Sequence, residues 1–296
     1  MLSVLAVCYL FFGGAGAGAL AILSLVEALR AAHVDFASAF APNDLLARAW
    51  LACIFFLGMG VACLAADLGR LDHAWKILFL PHFTPLTIGA YALAASCVIA
   101  AFFAFARWSD AVFSTSGMVF LLAVVGVLAG VVTMSYTGVL LQGMASVVAW
   151  QTPVLPLLFV SSSLSCGVAL ALGASSFSDS RFPPLRFFKG LLRFDSVLIL
   201  AESVFVAALI ASMLFDESSC EGAWALLTGP LSPLFWLGLV FVGLVAPFAL
   251  ERFVSYASHR FQFLWIALCV LSGGFALRWC VVAVAAFDPS QAYAVL

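Results

Sequence analysis

The protein has 296 residues, of which 66% are hydrophobic and 9% are charged, with a formal net charge of −2 and a mean hydropathy of +1.20. A water-soluble domain carries about a quarter charged residues, so this composition excludes an ordinary soluble protein. The net charge says nothing about nucleic acid, and no basic patch suggests a nucleic-acid partner.

Eight long apolar stretches account for most of the chain, and charged residues fall mainly between them. A transmembrane helix needs roughly 20 apolar residues, whereas transmembrane barrel strands alternate and are about ten residues long. The pattern predicts an all-α integral membrane protein with eight transmembrane helices, at about 3–29, 46–68, 85–106, 116–141, 153–173, 194–215, 230–250 and 261–285. No Lys or Arg precedes the first stretch, so we expect a retained span rather than a secretory signal.

The spans fall into two groups of four, separated by the connection 142–152. We expect one membrane domain over 1–296, in which 1–141 and 153–285 each form a four-helix bundle. The longest connection, about 174–193, is too short to build a core of its own. A redox cofactor that needs a soluble domain must therefore lie in another subunit.

Clustered glycines mark the first span, and a second pair occurs in the fourth. Gly14 with Gly18, and Gly126 with Gly130, have the four-residue spacing that lets membrane helices approach closely. Close packing is one interpretation of these glycines. The other is that a missing side chain, as at Gly14, leaves a slot for a flat ring or a lipid-like tail.

Basic residues alternate between loops in a way that predicts orientation. The even-numbered loops and both tails carry only Arg70 and Lys76, and Arg278 lies within the last span. The odd-numbered loops carry Arg30, Arg48, Arg107, Arg181, Arg186, Lys189, Arg193, Arg252 and Arg260. The positive-inside rule then places the odd loops in the cytoplasm and both termini outside.

Polar residues gather at the outer ends of the first four spans under this orientation. They are Tyr9, Asp67, Arg70, Asp72, His73, His82, Ser135, Tyr136 and Gln142. The connection 69–84 contains short apolar runs and is expected to lie along the membrane surface as an amphipathic segment.

Three ionisable residues are predicted inside the last four spans: Asp195, Glu202 and Arg278. Such groups cost several kcal/mol at depth unless they are paired or hydrated, so they are functional candidates. Two interpretations stay open, a Glu202–Arg278 ion pair and a proton relay between Glu202 and Asp195. Glu27 and Glu251 lie near the cytoplasmic ends, where we expect them to be solvated.

The placement of histidine and cysteine argues against a bound metal cofactor. None of the four histidines falls within a predicted span, where a cytochrome b needs its axial ligands. The eight cysteines contain no CxxC motif, and the spacings for iron–sulfur ligation or covalent haem attachment are missing. The sequence predicts no haem, iron–sulfur cluster or metal site in this chain.

Four segments together carry a family resemblance. They are YLFFGGAGAGAL at 9–20, DLGR at 67–70 leading to 82–84, SYTGVLL at 135–141 followed by TPVLPLL at 152–158, and SGGFALRW at 272–279. In this order and spacing they resemble the polysulfide reductase membrane-subunit family, the NrfD/PsrC-like anchors.

The resemblance implies a haem-free, multi-pass subunit of a prokaryotic cytoplasmic membrane that exchanges electrons with quinone or quinol, either menaquinone or ubiquinone. It implies a ferredoxin-like four-cluster iron–sulfur subunit on the extracytoplasmic side and a molybdopterin catalytic subunit as partners, besides membrane lipid. It also implies that the complex takes part in anaerobic respiration. The terminal substrate binds elsewhere, and this chain is a component of an oxidoreductase rather than its catalytic subunit.

The resemblance also implies a quinone pocket in the first four helices, near the iron–sulfur partner. The expected quinone-binding residues are Tyr9, Gly14, Asp67, Arg70, His73, Tyr136 and Gln142. Tyr9, His73 and Tyr136 can hydrogen-bond a ring oxygen, and Asp67 can accept a proton. Some members carry histidine and asparagine quinone ligands where this chain has Tyr9 and Ala6, and the alanine cannot hydrogen-bond.

Two other functions compete with a quinone-reactive anchor: a purely structural anchor without a quinone site, and a secondary transporter. Transporters often combine broken helices at mid-membrane with repeat symmetry. Here Pro153 and Pro156 lie near a span end, and the two halves show no clear repeat. Binding of a quinone analogue would distinguish a quinone-reactive anchor from a structural one.

Overall fold

The computed structural model describes residues 3–32, 43–67, 85–109, 116–144, 147–177, 185–216, 219–253 and 259–287. Eight helical spans in these residues are long and apolar enough to cross a membrane, which confirms the predicted all-α membrane fold. The helices are α1 (Val4–Ala31), α2 (Asn43–Asp67), α3 (Pro85–Trp108), α4 (Ser116–Gln142), α5 (Val154–Ser176), α6 (Leu185–Phe215), α7 (Cys220–Leu227), α8 (Ala246–Arg252) and α9 (His259–Ala283).

Two helices differ from the sequence prediction. The α6 helix begins at Leu185, inside the stretch predicted as a connection, because a helix can continue past the membrane edge through charged residues such as Lys189 and Arg193. The seventh span starts as a π-helix over Leu234–Val245 and continues directly into α8. A π-helix of this length is rare, and apolar content alone cannot distinguish it from an α-helix.

The centre of the molecule is formed by α1 and α5. In the most apolar window of α1 83% of residues are buried, and in α5 72%, compared with 28% in α4. The α1 helix packs mainly against α2, α4 and α5, while α5 also packs against α6 and α9. The two halves therefore share a broad α1–α5 interface, and a division into two four-helix bundles stays a prediction.

Glycines set the close contacts between these helices, as the sequence predicted. A Cβ atom added at Gly18 would lie 1.8 Å from the Ser163 carbonyl oxygen, and one added at Gly167 would lie 2.3 Å from the Gly18 carbonyl carbon. On the other side of α1, a Cβ at Gly130 would lie 2.9 Å from the Ala17 carbonyl oxygen. Backbone approaches backbone at these points, which only a residue without a side chain permits.

The alternation of the spans gives the molecule two ends. The arginine-rich end is marked by Arg30, Arg107 and Arg252, each in the last turn of its helix. The opposite end is marked by Asp67 and Gln142, the last residues of α2 and α4. The structure thus collects the described basic residues of the odd loops at one end, while the membrane side of that end stays a prediction.

Candidate functional site

Two tyrosines from the first four spans form a buried pair near the end of the molecule that is marked by Asp67 and Gln142, opposite the arginine-rich end. Tyr9 of α1 and Tyr136 of α4 are each 6% exposed. The Tyr9 hydroxyl donates a hydrogen bond to the Tyr136 hydroxyl over 2.5 Å. Because Tyr136 accepts in this contact, its own hydroxyl hydrogen stays available for another acceptor. The structure therefore joins two predicted site residues that are far apart in sequence.

A glycine of α3 makes room for this pair. A Cβ atom at Gly89 would lie 2.2 Å from the ring of Tyr136, so the ring lies directly against the α3 backbone. Three helices, α1, α3 and α4, thus fix the positions of the two hydroxyl groups. The packing of Gly89 was not predicted, because its partner lies on another helix.

Asp67 and Gln142 lie at the same end, nearer the surface than the tyrosine pair. The exposed Asp67 carboxylate accepts a hydrogen bond from the Ser3 hydroxyl, which joins the end of α2 to the start of α1. Ser3 precedes Tyr9 by six residues, and Gln142 follows Tyr136 by six. At about 1.5 Å per residue, each lies roughly 9 Å along the helix axis from its tyrosine.

Two predicted quinone-binding residues, Arg70 and His73, lie outside the described residues, together with the whole predicted amphipathic segment. Their roles stay predictions. Within the described ranges, no group of three or more His, Cys, Asp or Glu side chains is arranged to hold a metal ion.

Gly14 faces an arginine rather than an open slot. A Cβ atom there would lie 2.8 Å from the Ser163 hydroxyl oxygen and 2.9 Å from Nη2 of Arg278. The space that its missing side chain leaves is therefore filled by the guanidinium group. Of the two interpretations that the sequence left open, close packing is the one that fits Gly14, and its role in quinone binding stays a prediction.

Arg278 is the centre of a second polar site, between the two halves of the molecule. Its side chain is 1% exposed, and the rings of Phe11 and Phe159 lie 5.8 and 5.5 Å from its guanidinium carbon. The guanidinium group has partners on α1, α5 and α9: the Leu10 and Gly274 carbonyls, the Ser162 and Ser163 hydroxyls, and the Cys166 thiol. The buried charge is thus held largely by neutral groups.

Glu202 reaches this arginine through a serine. Arg278 Nη1 donates to the Ser162 hydroxyl over 3.2 Å, and that hydroxyl in turn donates to the Glu202 carboxylate. Glu202 is 5% exposed, so both charges are removed from solvent. The two residues attract each other through space as well. The predicted Glu202–Arg278 pairing is therefore bridged by Ser162.

A pair of acids lies closer to the arginine-rich end. Asp195 is fully buried, and its Oδ1 accepts a hydrogen bond from the Ser165 hydroxyl over 2.7 Å. The carboxyl groups of Asp195 and Glu251 are neighbours, and they repel each other when both are charged. Ser196 donates to Glu251 Oε2 over 2.5 Å. Glu251 is only partly exposed and interacts with Asp195, which corrects the expectation that solvent surrounds it.

Glu27 is also buried, although its position near a helix end suggested solvation. Its side chain is 0% exposed and accepts two hydrogen bonds from Arg107, one of them from Nε over 2.7 Å. Trp50 donates a third, longer bond of 3.4 Å to Oε1. This bidentate pair ties α1 to α3 at the arginine-rich end, a structural role that the spacing along the chain did not reveal.

One sequence signal could have located the second site. Serines occupy positions 161, 162, 163 and 165 of an otherwise apolar span, and all four are buried. Hydroxyl groups inside a membrane bundle commonly bond across helices, so such a run indicates polar partners on neighbouring helices. Which partners they meet is decided by the packing.

The sequence matches a known protein family over nearly its whole length, and it is similar to two individual proteins. The family model for polysulphide reductase, NrfD, matches residues 2–287. The protein is 29% identical to the C subunit of polysulfide reductase from Wolinella succinogenes over 296 aligned positions, which cover 93% of this sequence and 90% of that subunit. It is 31% identical to protein NrfD of Escherichia coli K12 over 144 positions, 48% of this sequence and 44% of that protein.

Proposed function

The chain belongs to the polysulphide reductase NrfD family, and on that premise we propose that it is the quinone-reactive membrane subunit of a respiratory oxidoreductase. Family membership and the similarity to the C subunit of polysulfide reductase indicate a membrane subunit of such a complex. The resemblance inferred from sequence motifs is thereby confirmed at the level of the family. The quinone, its site and the partner subunits are parts of the proposal.

The observation that carries the proposal is the buried Tyr9–Tyr136 pair. Oxidation of a quinol releases two electrons and two protons, so the site needs hydrogen-bonding groups at the ring oxygens. The Tyr136 hydroxyl can donate to a ring oxygen while it accepts from Tyr9. We expect the headgroup to lie beside this pair at the end marked by Asp67 and Gln142, with these two residues nearer the surface. Arg70 and His73 stay predicted contacts of the headgroup.

The placement of the pair fits an electron-transfer partner on one side of the membrane. We propose that the arginine-rich end faces the cytoplasm of a prokaryotic cell, so the tyrosine pair and both termini lie toward the extracytoplasmic side. A ferredoxin-like four-cluster iron–sulfur subunit would dock there and exchange electrons with the quinone, in a complex with a molybdopterin catalytic subunit.

The serine-bridged Glu202–Arg278 pair has a structural role in this proposal. Its contacts span α1, α5, α6 and α9, so it holds the half with the tyrosine pair against the other half. Proton transfer, the alternative role predicted for these buried charges, is better supported for Asp195, whose surroundings are acidic.

Substitution of the tyrosines tests the quinone site. We expect Tyr136→Phe and Tyr9→Phe to lower quinol oxidation by the purified complex by about tenfold, because one hydrogen bond to the reacting group contributes about 1–1.5 kcal/mol. Tyr136→Phe should have the larger effect, since it removes the group proposed to contact the ring. Subunit content, measured on the same preparations, should stay unchanged.

Tyr91→Phe is the matched control, because this tyrosine of α3 is 42% exposed, whereas the paired tyrosines are buried. It should oxidise quinol at the wild-type rate. Normal quinol oxidation in both Tyr9→Phe and Tyr136→Phe would show that the quinone site is not at this pair. If the wild-type complex also failed to bind a quinone analogue, a purely structural anchor would be the better description.

A further inference from the structure

The acid pair of Asp195 and Glu251 leaves two buried carboxyl oxygens without a hydrogen-bond donor in the described part of the chain. One oxygen of each group is occupied by a serine, Ser165 for Asp195 and Ser196 for Glu251. The remaining oxygens, Asp195 Oδ2 and Glu251 Oε1, are buried and have no hydrogen-bond donor among the described residues. A carboxylate oxygen only accepts, so these two oxygens can pair with each other only if one of the groups carries a proton.

The surroundings disfavour two negative charges at this position. Asp195 is 0% exposed, and the other charged group that acts on it is the acidic Glu202. The basic residues nearest along the chain, Arg193 and Arg252, are exposed, so their charges are solvated. From α5 the Cys166 thiol also interacts with Asp195 and Glu202. Two carboxylates that share a buried site cannot both ionise at low cost, so burial and charge both favour one proton in the pair.

The two acids of the pair differ in their exposure to solvent. Asp195 is fully buried, whereas Glu251 is partly exposed and sits in the last turn of α8. It is followed by exposed Arg252 and by Phe253, which is 79% exposed. A proton can thus reach Glu251 from the arginine-rich end, and Asp195 continues the path inward.

We propose that Asp195 and Glu251 share one proton and form a proton-exchange site that opens to the arginine-rich end. The resting pair carries one proton and one negative charge. Uptake of a second proton from the solvent at that end neutralises both carboxyl groups, and its release restores the charge. This site goes beyond the quinone chemistry proposed above and does not depend on it.

Infrared spectroscopy of the full chain in lipid nanodiscs without quinone tests the shared proton. The wild type should show the carbonyl band of a protonated carboxyl group at neutral pH. Asp195→Asn and Glu251→Gln should each remove or shift this same band, because the proton belongs to both groups. Glu221→Gln is the matched control, since Glu221 is an exposed acid of α7 and should leave the band unchanged.

Two serine variants keep the test decisive if a carboxyl variant does not fold. Ser165→Ala and Ser196→Ala each remove one hydrogen bond to the pair and leave both acids in place, so each should shift the band. A band that responds only to Glu202→Gln would assign the proton elsewhere and overturn the proposal. Absence of any protonated carboxyl band in the wild type would overturn it as well.

Quinol oxidation by the complex gives an independent readout. Glu251→Gln should leave the tyrosine pair intact and keep quinol binding, while the infrared band changes. If the tyrosine variants oxidise quinol normally, the proposed function is contradicted, but the proposal of a proton site is not affected. An unchanged band in both carboxyl variants would contradict the proton site without touching the quinone proposal.

Discussion

Single serine side chains control how the buried charges of this protein are accommodated. Ser162 stands between Arg278 and Glu202, accepting from one and donating to the other. A buried arginine is costly unless its donors are satisfied, and removing one partner of a buried charge strands the other. The serine run on α5 therefore allows two opposite charges to be buried without direct contact.

Ser162→Ala should lower the free energy of unfolding by about 1–3 kcal/mol, because it leaves a donor of Arg278 and an acceptor of Glu202 unpaired. Ser161→Ala is the control on the same helix, since the Ser161 hydroxyl bonds the Leu158 carbonyl of its own helix over 3.0 Å. Thermal unfolding in detergent compares the two. Equal losses would show that Ser162 has no special role as a bridge.

At the scale of whole helices, the crossing of α1 and α5 decides the architecture. The two backbones meet at Gly18 and Gly167, and the same region of α1 also contacts α4 at Gly130. Membrane helices gain little from burying apolar surface away from lipid, so they associate through close van der Waals packing. A helix lined with glycine and alanine can take several neighbours at short distance, which explains why α1 is central.

Gly18→Ala should destabilise the fold by about 1–3 kcal/mol, because the new methyl group would overlap the Ser163 carbonyl and force the helices apart. Gly58→Ala in α2 is the matched control, since nothing lies within 4 Å of a Cβ atom there. Alanine is the better helix former, so this control should not lose stability. The midpoint of thermal unfolding measures both, and equal tolerance of both changes would contradict the close crossing.

On the scale of the whole molecule, three of the polar regions in the described residues lie at different depths. The tyrosine pair lies near the end opposite the arginine-rich end, and the polar site around Arg278 lies between the two halves. The acid pair of Asp195 and Glu251 lies toward the arginine-rich end. Arg278 contacts Leu10, the residue directly after Tyr9. The first half and the second half are thus connected beside the proposed quinone site.

Two phenylalanines at opposite ends test the orientation of the molecule. Phe215 at the end of α6 is 92% exposed, and Phe253 after α8 is 79% exposed. In a background without the native cysteines, Phe215→Cys should react with an impermeant thiol reagent in intact cells. Phe253→Cys should react only after the membrane is opened. Reaction of Phe253→Cys in intact cells would reverse the proposed topology.

Much of the architecture follows from the amino-acid sequence alone. An uninterrupted apolar stretch of about 20 residues forms a helix in lipid because every backbone polar group must be satisfied within the segment. The eight spans, the collection of basic residues at one end and the close packing of glycines such as Gly18 are therefore predictable. So is the family, whose motifs are local in sequence.

What the tertiary structure decided is which polar groups meet. Residues on different helices form the Tyr9–Tyr136 contact and the bridge through Ser162. Glu27 is likewise buried, and Glu251 partly buried, beside partners on other helices. Apolar periodicity carries little information about the facing of a helix that is hydrophobic all round. The amino-acid sequence itself specified that these groups lie in or beside the membrane. Only packing could specify their partners, because a hydrogen bond depends on ångström distances between helices that sequence spacing does not encode.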